Sequence, residues 1–171
     1  MTHLPETSAI VLNGPDLESR AQPDDHQTLR LWLRMLTCCT LIENELRSRL
    51  RTEFGTTLPR FDLMAQLLRA PDGMKMSDLS RHMMVTNGNI TGIVDQLERD
   101  GLIERIKSVT DRRSSLVRLT DKGRRTFAKI AKAHEEWIRD MFGGLRETSS
   151  HSLFQSLGEL KLAARTQLGG V

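Results

Sequence analysis

Between Asn87 and Gly101 the apolar residues Ile90, Ile93, Val94 and Leu97 fall at i, i+3, i+4 and i+7. That spacing predicts a helix with one apolar face, and Gly101 stops it. The opposite face carries Thr86, Asn87, Gly88, Asn89, Thr91, Gly92 and Gln96, which bring hydrogen-bonding groups and little bulk. Such a helix has to bury one side and leave the other thin and polar. Upstream, Ser77 reads as the N-cap of a short helix carrying Leu79 and Met83, and Val85-Thr86-Asn87 breaks it. Downstream, residues 102–107 and 116–119 are strand-like, and the polar tip from Ser108 to Ser115 is too long for a two-residue turn.

The order is short helix, tight turn, second helix, then a hairpin with a basic tip, which is a winged helix-turn-helix. A helix of about His26–Phe54 precedes it, with two apolar stripes: Leu29, Leu33 and Leu36 on one, and Leu31, Met35, Cys38, Ile42, Leu46 and Leu50 on the other. A helix apolar on two sides is buried on two sides, as a central helix or at a subunit interface. Leu58-Pro59 opens the next helix, with Phe61, Met64, Ala65 and Leu68 on one face and Leu63 and Leu67 beside it. Thr120 caps a long helix with the stripe Phe127, Ile130, Ala131, His134, Ile138, Met141 and Phe142. A final helix from about Thr148 to Leu168 carries Leu153, Leu157, Leu160, Ala164 and Leu168. The expected class is α+β, mainly α, with long N- and C-terminal helices. Residues 1–25, with Pro5, Pro15, Pro23 and Gly14 and no periodicity, read as a disordered arm.

Charge is distributed unevenly over the 171 residues. The net charge of +3 averages an acidic arm, where Glu6, Asp16, Glu18, Asp24 and Asp25 face only Arg20, with a basic middle, where residues 75–125 hold eleven bases and seven acids. Arg105, Lys107, Arg112, Arg113 and Arg118 cluster around one acid, Asp111. A basic cluster of this kind is the footprint of a polyanion-binding surface, or else a solvated face. Asn and Gln pair with adenine edges and Thr meets a thymine methyl, so the thin helix face suits a major groove. Arg112 and Arg113 at the hairpin tip suit a narrow minor groove. Ser77, Arg99 and Ser114 complete the expected DNA-contacting set, and Asp111 is expected to hold a wing arginine in position.

Other chemistries find no support. Aromatics make up 4% of the chain, too few for a deep aromatic-lined catalytic cavity. No apolar run reaches the length of a membrane span, and no basic start with an apolar stretch marks a secretory leader. The two cysteines, Cys38 and Cys39, are adjacent, which disfavours a disulfide or a zinc site. His3, His26, His82, His134 and His151 have no ligand-spaced partners, and His134-Glu135-Glu136-Trp137 is not a zinc-protease motif. No phosphate-binding loop or nucleophile elbow occurs. The expectation is a cytoplasmic, nucleoid-acting protein that is not an enzyme and uses no cofactor or metal.

Four stretches carry a family resemblance: Ser77-Asp78-Leu79-Ser80, the run Asn89 to Ile103, Asp111-Arg112-Arg113-Ser114, and Leu119-Thr120-Asp121-Lys122-Gly123. In this order and spacing they resemble the MarR family of bacterial transcriptional regulators, over roughly residues 28–168. The resemblance implies a homodimer with residues 26–58 and 124–171 as the dimerisation region and 59–123 as the DNA-binding domain. It implies a repressor that binds a pseudo-palindromic operator and is released by a small ligand. It places the wing aspartate on Asp111 and the minor-groove arginine on Arg113, with Arg112 as the alternative reader. The stretch Leu58 to Leu67 resembles members that control aromatic-acid catabolism, which points to an aromatic carboxylate or aryl-CoA effector. Trp32, Arg34, Phe61, Met64, His134 and Trp137 are the expected pocket residues, each of which also fits core or dimer packing. Three alternatives stand beside this: a DNA-binding or architectural protein with no effector, a protein-interaction module, and a redox sensor using Cys38 and Cys39.

Overall fold

The computed structural model describes residues 26–83, 87–107 and 115–169, with the side chains of Asn87, Lys107 and Ser115 outside the description. Six helices and three short strands follow in order: α1 Gln27–Phe54, α2 Leu58–Leu68, β1 Met74–Lys75, α3 Met76–Met83, α4 Asn87–Arg99, β2 Ile103–Lys107, β3 Ser115–Leu119, α5 Asp121–Phe142 and α6 Glu147–Gln167. The chain divides into two compact units, one ending at Arg49 and the other beginning at Leu50.

The first unit is α1 up to Arg49. Ion pairs one turn apart brace its outer side, Arg47 with Glu43 at 2.8 Å and Arg49 with Glu45 at 2.6 Å. The doubly apolar pattern is present but only partly covered. Leu46 is buried, whereas Leu29, Leu31, Trp32 and Leu41 are exposed. Cys38, assigned to an apolar stripe, is exposed beside Cys39, and both are free thiols.

The second unit is built around the stripe of α4. Ile90, Val94 and Leu97 are fully buried together with Leu79 of α3 and Leu63, Met64 and Leu67 of α2. Each such side chain contributes about 1.5–3 kcal/mol relative to an exposed one. The buried face of α2 is Phe61, Leu63, Met64 and Leu67, so the helix is rotated from the expected face and Leu68 stays 48% exposed. α3 begins at Met76, which places Ser77 inside the helix and not at its cap. At the far end of α4, Gly101 takes φ +70°, a left-handed value that a side chain resists. The Leu102 amide then donates back to the Leu97 carbonyl at 2.9 Å, a Schellman closure between two buried leucines.

The sheet runs β1-β3-β2, all antiparallel, with Ile103 opposite Leu119, Glu104 opposite Arg118 and Arg105 opposite Val117. Ile103, Val117 and Leu119 are buried and so define the core face. The pleat puts Arg105 on that face too, and Glu104 and Arg118 on the other. The last two pair across the strands at 2.8 Å.

A tight junction follows β3. The Thr120 hydroxyl accepts from the Gly123 amide at 3.0 Å, as the N-cap reading requires, and donates to the Gly101 carbonyl at 2.8 Å. The Thr120 amide donates to the Leu102 carbonyl at 3.0 Å. A Cβ on Gly123 would lie 1.9 Å from that same carbonyl oxygen, so only glycine fits. On α5, Phe127, Ile130 and Trp137 are buried, and Trp137 packs on Phe54 with centroids 5.9 Å apart. No residue of α6 is buried, so the expected leucine stripe is present but uncovered by the described residues. Gly123→Ala should destabilise the protein by about 3 kcal/mol, since overpacking against fixed backbone is at the upper end of its range. The midpoint of urea unfolding measures this; a loss below about 1 kcal/mol would contradict the crowding.

Candidate nucleic-acid interface

The outer face of α4 is as thin as its sequence predicts. Asn89, Thr91, Gly92, Gln96 and Arg99 are exposed, while Ile90, Val94 and Leu97 face inward. A Cβ on Gly92 would meet nothing within 4 Å, so no packed neighbour within the described protein explains this glycine. It costs about 1 kcal/mol in helix propensity relative to alanine and leaves a notch in the exposed face. Ser77 lies exposed on α3. Thr86, Asp111, Arg112, Arg113 and Ser114 lie outside the described residues, and for Asn87 and Gly88 the description covers only the helical backbone.

Three cations from three different elements hold α4 in place. Arg105 of β2 reaches it because the pleat points this side chain toward the core side, where one guanidinium bridges Asp95 and Glu98. Its pKa is raised by hydrogen bonding to Asp95 and by the charges of both carboxylates, against a smaller cost of desolvation. Arg60 of α2 pairs with Asp100, just past the end of α4. Lys122 of α5 donates to the Asp100 carbonyl at 2.7 Å, a cation at the negative end of the helix. The helix face and the root of the wing are thus joined by charge as well as by packing.

These pairs revise the charge reading. Arg105 and Arg118, counted among the wing cations that face a polyanion, are engaged with Asp95, Glu98 and Glu104. Sequence separation hid this, because the partners of Arg105 lie seven and ten residues upstream on a different element. The signal available was the alternation of β2, which aligns Arg105 with Ile103.

The expected effector residues divide between the units. Trp32 and Arg34 are exposed on α1, where Arg34 lines a shallow depression of about 420 Å³ with Gln27, Arg30 and Leu31. In the second unit Phe61 stacks between Phe127, at 5.2 Å, and His134, at 4.7 Å. Burial lowers the His134 pKa below its ordinary value, which favours a neutral imidazole in that stack. Met64 and Trp137 are buried. Among the described residues no group of His, Cys, Asp or Glu is arranged to hold a metal, and no helix is long and apolar enough to cross a membrane.

Comparison with known proteins agrees with this geometry. Residues 56–115 match the model of the MarR family. BadR of Rhodopseudomonas palustris, a transcriptional activatory protein, is 31% identical over 105 residues, covering 60% of this chain and 59% of its own length. A MarR family transcriptional regulator from Silicibacter pomeroyi is 32% identical with a TM-score of 0.68, over 80% of this chain and 94% of that one. Sco3205 from Streptomyces coelicolor, a MarR family regulator solved in complex with DNA, shares the fold with a TM-score of 0.71 at 23% identity, over 85% of this chain and 91% of that one. The chain belongs to the MarR family of DNA-binding transcriptional regulators.

Proposed function

We propose that the protein is a homodimeric repressor whose two α4 helices enter successive major grooves of a pseudo-palindromic operator. The observation that carries this is the two-sidedness of α4, with Ile90, Val94 and Leu97 buried on one side, a thin exposed polar face on the other and an unexplained notch at Gly92. Asn89, Thr91 and Gln96 read base edges, with Asn87 and Thr86 at the helix start and Gly88 admitting close approach. Ser77 and Arg99 contact phosphates. The wing places Arg113, or Arg112, in the minor groove, with Asp111 holding it and Ser114 on the backbone. A second copy is supported by apolar surface that one chain leaves open on α1, at Leu31 and Trp32, and along α6, where Phe154 is 79% exposed. The dimerisation region is residues 26–58 and 124–171, the DNA-binding domain is 59–123, and the site of action is the bacterial cytoplasm.

Gly92→Ala separates this reading from a merely solvated helix. It should raise stability by about 1 kcal/mol and weaken binding to duplex DNA about tenfold or more, the equivalent of one lost close contact. Anisotropy titration measures the second; unchanged affinity would contradict backbone approach at the notch.

The effector in this reading is an aromatic carboxylate or its CoA thioester, its binding releases the DNA, and its candidate contacts are Trp32 and Arg34 on α1 or Phe61, Met64, His134 and Trp137 in the second unit. Aromatic rings, a polarisable methionine and an arginine suit such a ligand. Calorimetry with p-coumaroyl-CoA, feruloyl-CoA, benzoyl-CoA and the free acids should show saturable heat for at least one. Absence of heat from all would refute the effector class while leaving DNA binding intact.

A further inference from the structure

Two carboxylates stand where a DNA-reading helix has least use for them. Asp95 and Glu98 follow Thr91 at i+4 and i+7, so all three lie along one side of α4. Asp95 also sits directly before Gln96, and Thr91 and Gln96 are both exposed. A negative charge on this surface repels phosphate, and two of them weaken binding to any duplex. They do little for α4 itself. Acids favour the first turn of a helix, and these lie in its second half.

What they hold is Arg105. Its Nη1 donates to Glu98 Oε2 and its Nη2 to Asp95 Oδ1, so one guanidinium spans both carboxylates. The strand behind it is fixed, because Arg105 is the middle residue of β2 and lies opposite Val117, which is fully buried. All three side chains are partly exposed, at 32, 49 and 36% for Arg105, Asp95 and Glu98, and ion pairs in that setting add little stability. A planar fork held at two points is nonetheless a strong geometric constraint, and it resists rotation of α4 about its own axis. The buried stripe of Ile90, Val94 and Leu97 is aliphatic, and its attraction has no direction, so it sets that rotation less finely.

A charge arrangement that lowers affinity and adds little stability points to a functional demand. We infer that Arg105 is a positioning residue for base recognition: by spanning Asp95 and Glu98 it fixes the rotation of α4 relative to β2, so that the helix face and the wing reach their grooves together. Arg105 itself touches no base, and the two acids lower general affinity while raising discrimination. This rests on the DNA-binding reading, and the experiment keeps the two apart. Selection from random duplexes supplies the probes, namely the enriched duplex and the same duplex with its half-sites scrambled. The unaltered protein and two variants, Arg105→Lys and Asp95→Asn/Glu98→Gln, would be titrated on both by fluorescence anisotropy at about 150 mM KCl, near physiological ionic strength.

Lysine keeps the charge but, as a point donor, cannot brace both carboxylates. Arg105→Lys should hold the affinity for the scrambled duplex within about twofold and lower the ratio of the two affinities about tenfold, the equivalent of one mismatched base pair. Asp95→Asn/Glu98→Gln should lower that ratio by about as much while binding the scrambled duplex more tightly, since two charges that repel phosphate are gone. Loss of stability alone would shift the urea midpoint and leave the ratio unchanged, so a ratio retained in either variant would overturn the positioning role. Absence of any enriched motif with the unaltered protein would instead overturn the DNA-binding reading on which it rests.

Discussion

The carbonyl of Leu102 is the point on which the second unit turns. It accepts the Thr120 amide, while the Thr120 hydroxyl binds the neighbouring Gly101 carbonyl, and Gly123 passes so close that no side chain fits between them. Four elements meet there: the end of α4, the start of β2, the end of β3 and the start of α5. Each depends on a residue suited to its place, with Gly101 in a left-handed turn, Thr120 as a cap and Gly123 without a Cβ. Because β2 begins at this junction, the phase of its pleat is set there, and that phase brings Arg105 over α4. The bridge from Arg105 to Asp95 and Glu98 is thus a consequence of backbone geometry several residues away.

The account of charge follows from the same framework. A net charge of +3 says little, and even the basic middle of the chain is less available than a count suggests. Arg60, Arg105, Arg118 and Arg124 are engaged by carboxylates of their own unit and act as fasteners. Partly exposed pairs of this kind each contribute about 1 kcal/mol or less, so their role is to orient more than to stabilise. Arg125, Lys129 and Lys132 of α5 are exposed, and none forms an ion pair among the described residues. In this protein the location of a positive charge, and not the total, separates structure from recognition.

Much of this was legible in the sequence, for stated reasons. The α4 stripe, the stop at Gly101, the strands of the wing and the Thr120 cap all depend on residues close in sequence, so local pattern sufficed. Ser77 was misplaced because α3 begins one residue earlier, at Met76, directly after the two residues of β1 that pair with β3. The rotation of α2 that leaves Leu68 out was not legible either, since both candidate faces were apolar and packing chose between them. The crowding at Gly123 and the partners of Arg105 are contacts between distant segments, with no local signature beyond the alternation of β2. The leucines of α6 fall in the stripe that the sequence predicts, but none of them is buried by the described residues.

The central claim is that the thin face of α4 and the wing together read base sequence. Selection from a pool of random duplexes tests it most directly. The account predicts enrichment of a pseudo-palindrome whose half-sites lie about one helical turn, ~10 bp, apart. It also predicts that the enriched preference is lost when Asn89, Thr91 and Gln96 are replaced by alanine. A selected pool with no common motif, or a motif unaffected by those replacements, would contradict it.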